Sequence, residues 1–293
     1  MRYRITSIGI PILALCLASG LFAGSGRAWK DVSVQVGDIK VHYIEAGTGD
    51  RNLLFIPGHM MVAEVWREQI PYFAARGFRV VAMDPRSQGL TSKTDGGNTY
   101  QQHAADLHAF LKKIKLEHCN IVAWAASIVT VLEYVSSPEV LRPDTIVFVN
   151  GGPGGVAEPD YPSNLTIQQA RNTVFALQED REKAAEALVQ GLFKARQPGI
   201  LVKELTDANL KTPTGAAVAL LFDLVTADRR TNLASVSVPT LIVMSEERRL
   251  LGEYMQAKIQ GAKLAVIPDV GHALFLEKPQ AFNQALEDFL GKQ

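Results

Sequence analysis

The chain has almost no cysteine, no net charge and no internal repeat. Its two cysteines are Cys16 and Cys119. Leu15, just before Cys16, is too large for a lipoprotein cleavage site, so no lipid anchor is expected there. Once an N-terminal leader is set aside, Cys119 stands alone, and a single cysteine closes no intramolecular disulfide. At the start of an apolar strand it reads as a small core residue. The 30 basic and 30 acidic side chains cancel, which points away from nucleic acid and from anionic membrane surfaces. No G-x-G-x-x-G or Walker-type run follows a strand, so no nucleotide cofactor is expected. His103 and His108 lack a cysteine or carboxylate set beside them, and no metal is expected.

What is present is a large apolar fraction, 47% of 293 residues, enough for one α/β domain with an insertion. Residues 1–28 stand apart. Met1-Arg2-Tyr3-Arg4 is basic, residues 5–23 are apolar or small, and Gly24-Ser25-Gly26-Arg27-Ala28 offers small residues for cleavage. This is the layout of a secretory signal peptide, so the expected location is periplasmic or secreted, with no membrane span after leader removal. An uncleaved N-terminal anchor is the rival reading.

Residues 32–36 and 39–43 alternate apolar and polar around Gly37-Asp38, as in a hairpin of half-exposed strands. Short apolar runs at 53–56, 78–83, 121–123, 146–149, 240–244 and 262–267 read as buried strands. Between them lie helical patterns, such as 104–114 with Leu107, Phe110, Leu111 and Ile114 on one face. Buried strands alternating with amphipathic helices predict a mostly parallel sheet with helices on both faces. From 152 to 234 the alternation stops. Segments 165–178, 182–194 and 216–224 are helical in pattern and no strand is evident. The organisation expected is therefore an α/β core at 29–151 and 235–293 with a helical cap at 152–234.

Four motifs come in order. Phe55-Ile56-Pro57-Gly58-His59-Met60 follows the third strand and Asp84-Pro85-Arg86-Ser87-Gln88-Gly89-Leu90-Thr91 follows the fourth. Asn120-Ile121-Val122-Ala123-Trp124-Ala125-Ala126-Ser127 runs from a strand through small residues into a helix, and Ile267-Pro268-Asp269-Val270-Gly271-His272 follows the last strand. Together they resemble the α/β-hydrolase superfamily, over nearly the whole chain from Val32. The resemblance implies a serine-hydrolase type of fold with a helical cap and, as substrate, a small ester, lactone or related acyl compound. Laid on the G-x-S-x-G elbow of that family, Ala125 takes the nucleophile's place and carries no oxygen with which to attack. The resemblance makes His272 the general base, and the backbone N–H groups of His59 and Ala126 an oxyanion hole. It makes Gly58, Met60 and Trp124 walls of the substrate pocket. Three residues compete for the acid position: Glu247 or Glu246 after the seventh strand, where the simplest alignment puts Arg248, and Asn150 after the sixth. Ser127 lies inside the first helical turn, where a small residue serves a close helix–strand contact. Two functions are open on this reading. One is a hydrolase disabled at its nucleophile, and the other is a non-catalytic relative binding a small apolar ligand under the cap.

Overall fold

The computed structural model describes residues 28–116, 118–138, 140–163 and 165–291. The segment expected to be a leader lies outside these, apart from Ala28. Eight strands form one sheet in the order β1-β2-β4-β3-β5-β6-β7-β8. β1 (Lys30–Val36) and β2 (Ile39–Ala46) are the expected hairpin, with Gly37 taking the positive φ that its tight turn needs. β2 runs antiparallel to β4 (Phe78–Met83). From there β3 (Arg51–Ile56), β5 (Cys119–Trp124), β6 (Thr145–Val149), β7 (Thr240–Ser245) and β8 (Lys263–Ile267) are parallel. The predicted fold class, a mostly parallel sheet of α/β-hydrolase type, is the one observed.

Successive residues of the central strands enter opposite cores. Ile121 and Ala123 of β5 join Phe148 of β6 on one face, with α2 (Tyr100–Ile114), α3 (Ser127–Val135) and α8 (Arg249–Lys258). Val122 and Trp124 join Val147 and Val149 on the other, with α1 (Gln69–Ala74), α9 (Leu274–Glu277) and α10 (Pro279–Leu290). Burial on both sides explains why these strands read as continuous apolar runs. Trp66, fully buried, stacks on Phe275 with ring centroids 4.1 Å apart and anchors the second core. Helix α2 begins four residues ahead of the periodic stretch because Thr99 caps it, its side chain accepting from the Gln102 N–H.

Between β6 and β7 the described residues form four α-helices, α4 (Ile167–Glu179), α5 (Arg181–Gln190), α6 (Gly199–Leu210) and α7 (Thr214–Thr226), and a 3-10 turn at Arg230–Ser235. Three were expected. α6 begins directly after Pro198 and opens on Gly-Ile-Leu-Val, a run too short and too apolar for its helical period to be visible. Among the described residues no helix is long and apolar enough to cross a membrane.

Candidate functional site

The turn from β5 to α3 sets the site. Ala125 is at its apex with φ +55, a left-handed backbone that an L-residue adopts at a cost of roughly 1–3 kcal/mol. Its neighbours hold it there. The Ala125 N–H donates to the Val149 carbonyl at 2.9 Å, tying the apex to the end of β6. Gly151 lies so close beneath that a Cβ on it would stand 2.6 Å from the Ala125 Cα. A Cβ on Gly58 would meet the Ala125 Cβ at 3.3 Å and the Trp124 ring at 3.2 Å. Ser127 faces away from the cavity. Its buried hydroxyl lies 2.8 Å from the Trp124 carbonyl and 3.1 Å from that of Ile56, stitching α3 to β5 and β3.

A polar frame fixes the loop after β3. Asp84 is almost fully buried and accepts from the Ala63 N–H at 2.6 Å, the Leu90 N–H at 2.8 Å and His42 Nδ1 at 2.8 Å. Gly89 is obligatory here, since a Cβ would stand 2.0 Å from an Asp84 oxygen. Arg86 binds Asp106 and Asp38 through paired hydrogen bonds, and Gln88 Oε1 accepts the Met60 N–H at 2.6 Å. The N–H groups of His59 and Ala126 make no hydrogen bond among the described residues.

The apex opens into a cavity of about 220 Å³ whose walls include His59, Ala125, Ala126, Tyr161, Arg248 and His272. His272 sits on the loop after β8. Burial, and then the charge of Arg248, push its pKa well below the usual histidine value. The Trp124 indole N–H donates to its carbonyl at 3.1 Å. Asn150, at φ +49 beyond β6, faces the same loop. Its oxygen accepts the Ser245 N–H at 2.9 Å, and because that donor can only donate, the amide's orientation is fixed. Its N–H₂ end therefore points at the carbonyls of Gly271 and His272, at 3.2 and 3.1 Å, and at His272 Nδ1, at 3.4 Å. The amide has two N–H bonds for these three acceptors; where Nδ1 takes one it does so as an acceptor, which places the ring proton on Nε2.

The sequence-predicted residues separate here. His59, Ala125, Ala126 and His272 reach the cavity, and Asn150 touches His272. Glu247 does not: a single 3-10 turn, Glu246–Arg248, leaves it exposed. Gly58, Met60 and Trp124 stand behind the cavity and not in its wall. Trp124 points into the second core because its place on β5 gives it that face. Met60 is buried with Leu177, Ala184 and Ala217 beneath the inserted helices. Tyr161 carried no sequence signal, whereas Arg248 had one, its position after β7. Cys119 is buried, which pushes its thiol up to about 12 and leaves it inert.

The inserted helices are latched to the His272 loop. One Glu277 oxygen accepts the N–H groups of Lys194 and Ala195, both at 3.0 Å, and the other accepts the Gly271 N–H at 2.5 Å. The Ala273 N–H donates to Leu192 at 2.8 Å.

A strained turn between a parallel strand and its helix, with a histidine loop beside it, defines an α/β scaffold that builds its site at the carboxyl ends of its strands. The profile described as "Alpha/beta hydrolase family" matches residues 53–285, and the chain belongs to that family. It is 24% identical over 266 residues to a putative non-heme chloroperoxidase of Synechocystis sp., covering 86% of this chain and 95% of that protein. Among solved structures it is similar to a bromoperoxidase from Bacillus anthracis, with a TM-score of 0.84 and 22% identity over 89% of this chain and all of the other. An esterase from Exiguobacterium antarcticum gives a TM-score of 0.83 at 19% identity over 89% of this chain and 100% of that one.

Proposed function

We propose that the cavity holds a small ester, lactone or related acyl compound, and that the chain binds it without covalent turnover. The observation that carries this reading is the pairing of Ala125 at the apex with Asn150 against His272. Acyl transfer in this family's manner needs an oxygen at the apex and a histidine whose Nε2 is free to take its proton. The apex offers a methyl group, and the Asn150 amide favours the tautomer with Nε2 already protonated. What is retained suits binding: free N–H groups on His59 and Ala126 for a carbonyl oxygen, and helices at 152–234 acting as a cap. The esterase among the similar structures supports the substrate class. Residues 1–28 are proposed as a cleaved export leader, which N-terminal sequencing of the exported chain checks.

The retained N–H pair and His272 favour a second reading, a small-ester hydrolase disabled at position 125 alone. Short p-nitrophenyl esters and a fluorophosphonate probe separate the two. On the binding reading the chain neither turns over nor labels, and Ala125→Ser adds little. Ala125→Ser with Asn150→Asp then exceeds Ala125→Ser by roughly two to four orders of magnitude in kcat. Full activity from Ala125→Ser alone establishes the second reading instead, and turnover by the unaltered chain overturns both.

A further inference from the structure

The cavity holds a positive charge that no described residue pairs with. Arg248 lines it, and its guanidinium makes no hydrogen bond or ion pair among the described residues. The neighbouring acids are directed elsewhere. Glu246 pairs with Arg249 at 2.8 Å, and the exposed Glu247 acts on Arg248 only through space. Arginine stays charged in proteins, and a half-buried cation without a partner is costly.

The backbone N–H groups of His59 and Ala126, two residues of the same cavity wall, make no hydrogen bond among the described residues. The cavity thus offers donors for a neutral carbonyl oxygen and a cation for an anion. At about 220 Å³ the space is below the roughly 300–1,000 Å³ of drug-sized pockets, which restricts the occupant to a small molecule.

We propose that the cavity binds a small acyl compound that also carries a carboxylate, such as a short half-ester, with Arg248 taking the carboxylate. This rests on the acyl-ligand reading above and narrows it. A guanidinium grips a carboxylate through two parallel N–H groups, so charge and fork shape both count.

The test is calorimetric titration of the purified protein with monomethyl succinate and with dimethyl succinate, which differ by one charge. The expected result is binding of the half-ester about tenfold or more tighter than the diester. Arg248→Gln abolishes that preference, read as the ratio of the two affinities, and Arg248→Lys keeps part of it. Equal affinity for the two probes in the unaltered protein overturns the carboxylate assignment and leaves the acyl-ligand reading standing. So does an Arg248→Gln variant that retains the preference. If neither probe binds, both fall.

Discussion

Asn150 meets His272 with the nitrogen end of its amide, at 3.4 Å from Nδ1, because the Ser245 N–H holds the oxygen end at 2.9 Å. The geometry predicts that His272 carries its proton on Nε2. Long-range proton–nitrogen NMR of the labelled protein reads the tautomer directly, and a proton on Nδ1 would refute this orientation. With Asn150→Asp the carboxylate accepts from Nδ1, so the proton moves there and the pKa of His272 rises from its depressed value.

Two buried histidines set an acid limit on stability. Burial first of all holds His59 and His103 at about 4 against 6.5 in the open chain. Between those values the unfolded chain binds protons that the folded chain refuses. Stability is therefore complete above 6.5 and falls as pH drops toward 4, by about 1.4 kcal/mol per histidine per pH unit. His42 runs the other way. Burial lowers its pKa, but Asp84 and Asp31 together raise it above 6.5. Its contribution is complete below 6.5 and fades as pH rises through the raised value. Melting curves from pH 4 to 8 should show the acid loss, and His59→Gln should reduce its slope by about one histidine's share.

Glu277→Ala should leave three N–H groups, on Lys194, Ala195 and Gly271, without their acceptor. The expected cost is about 1–3 kcal/mol. Hydrogen exchange should quicken at those amides well before the sheet is affected. Unchanged protection at Gly271 would mean that the latch does not hold the loop.

Gly151→Ala should be more damaging than its one added methyl suggests. The new Cβ would stand 2.6 Å from the Ala125 Cα and 2.7 Å from its carbonyl oxygen, both backbone atoms with no rotamer to yield. A loss of about 1–3 kcal/mol is expected, measured by denaturant unfolding, together with weakened ligand binding. A variant of native stability would show that the apex is softer than its contacts imply.

The sheet was legible because two-sided burial writes itself into sequence as apolar runs of strand length, and the glycines and small residues around 125 marked the turn. Side-chain direction was not legible. Trp124 and Met60 follow the cavity motifs in sequence, yet strand phase sends one into the core and the inserted helices cover the other. Choosing between Glu247 and Asn150 required the path of a three-residue turn, which no periodicity encodes. Arg248 stood at a recognisable position, but its lack of a partner is a property of the folded chain alone.

The wound backbone at Ala125 has a consequence for how this chain relates to its catalytic relatives. The turn keeps its φ of +55 with only a methyl group to present, so the geometry is maintained by Val149, Gly151 and Gly58 and not by any reacting group. On the reading proposed above, Ala and Ser differ by one oxygen, and Asn and Asp by a single exchanged atom group. Two nearly isosteric replacements thus separate a binder from a catalyst, and neither asks the scaffold to move. On that reading the chain stands, in mutational terms, next to a hydrolase, with the backbone of the site already in place.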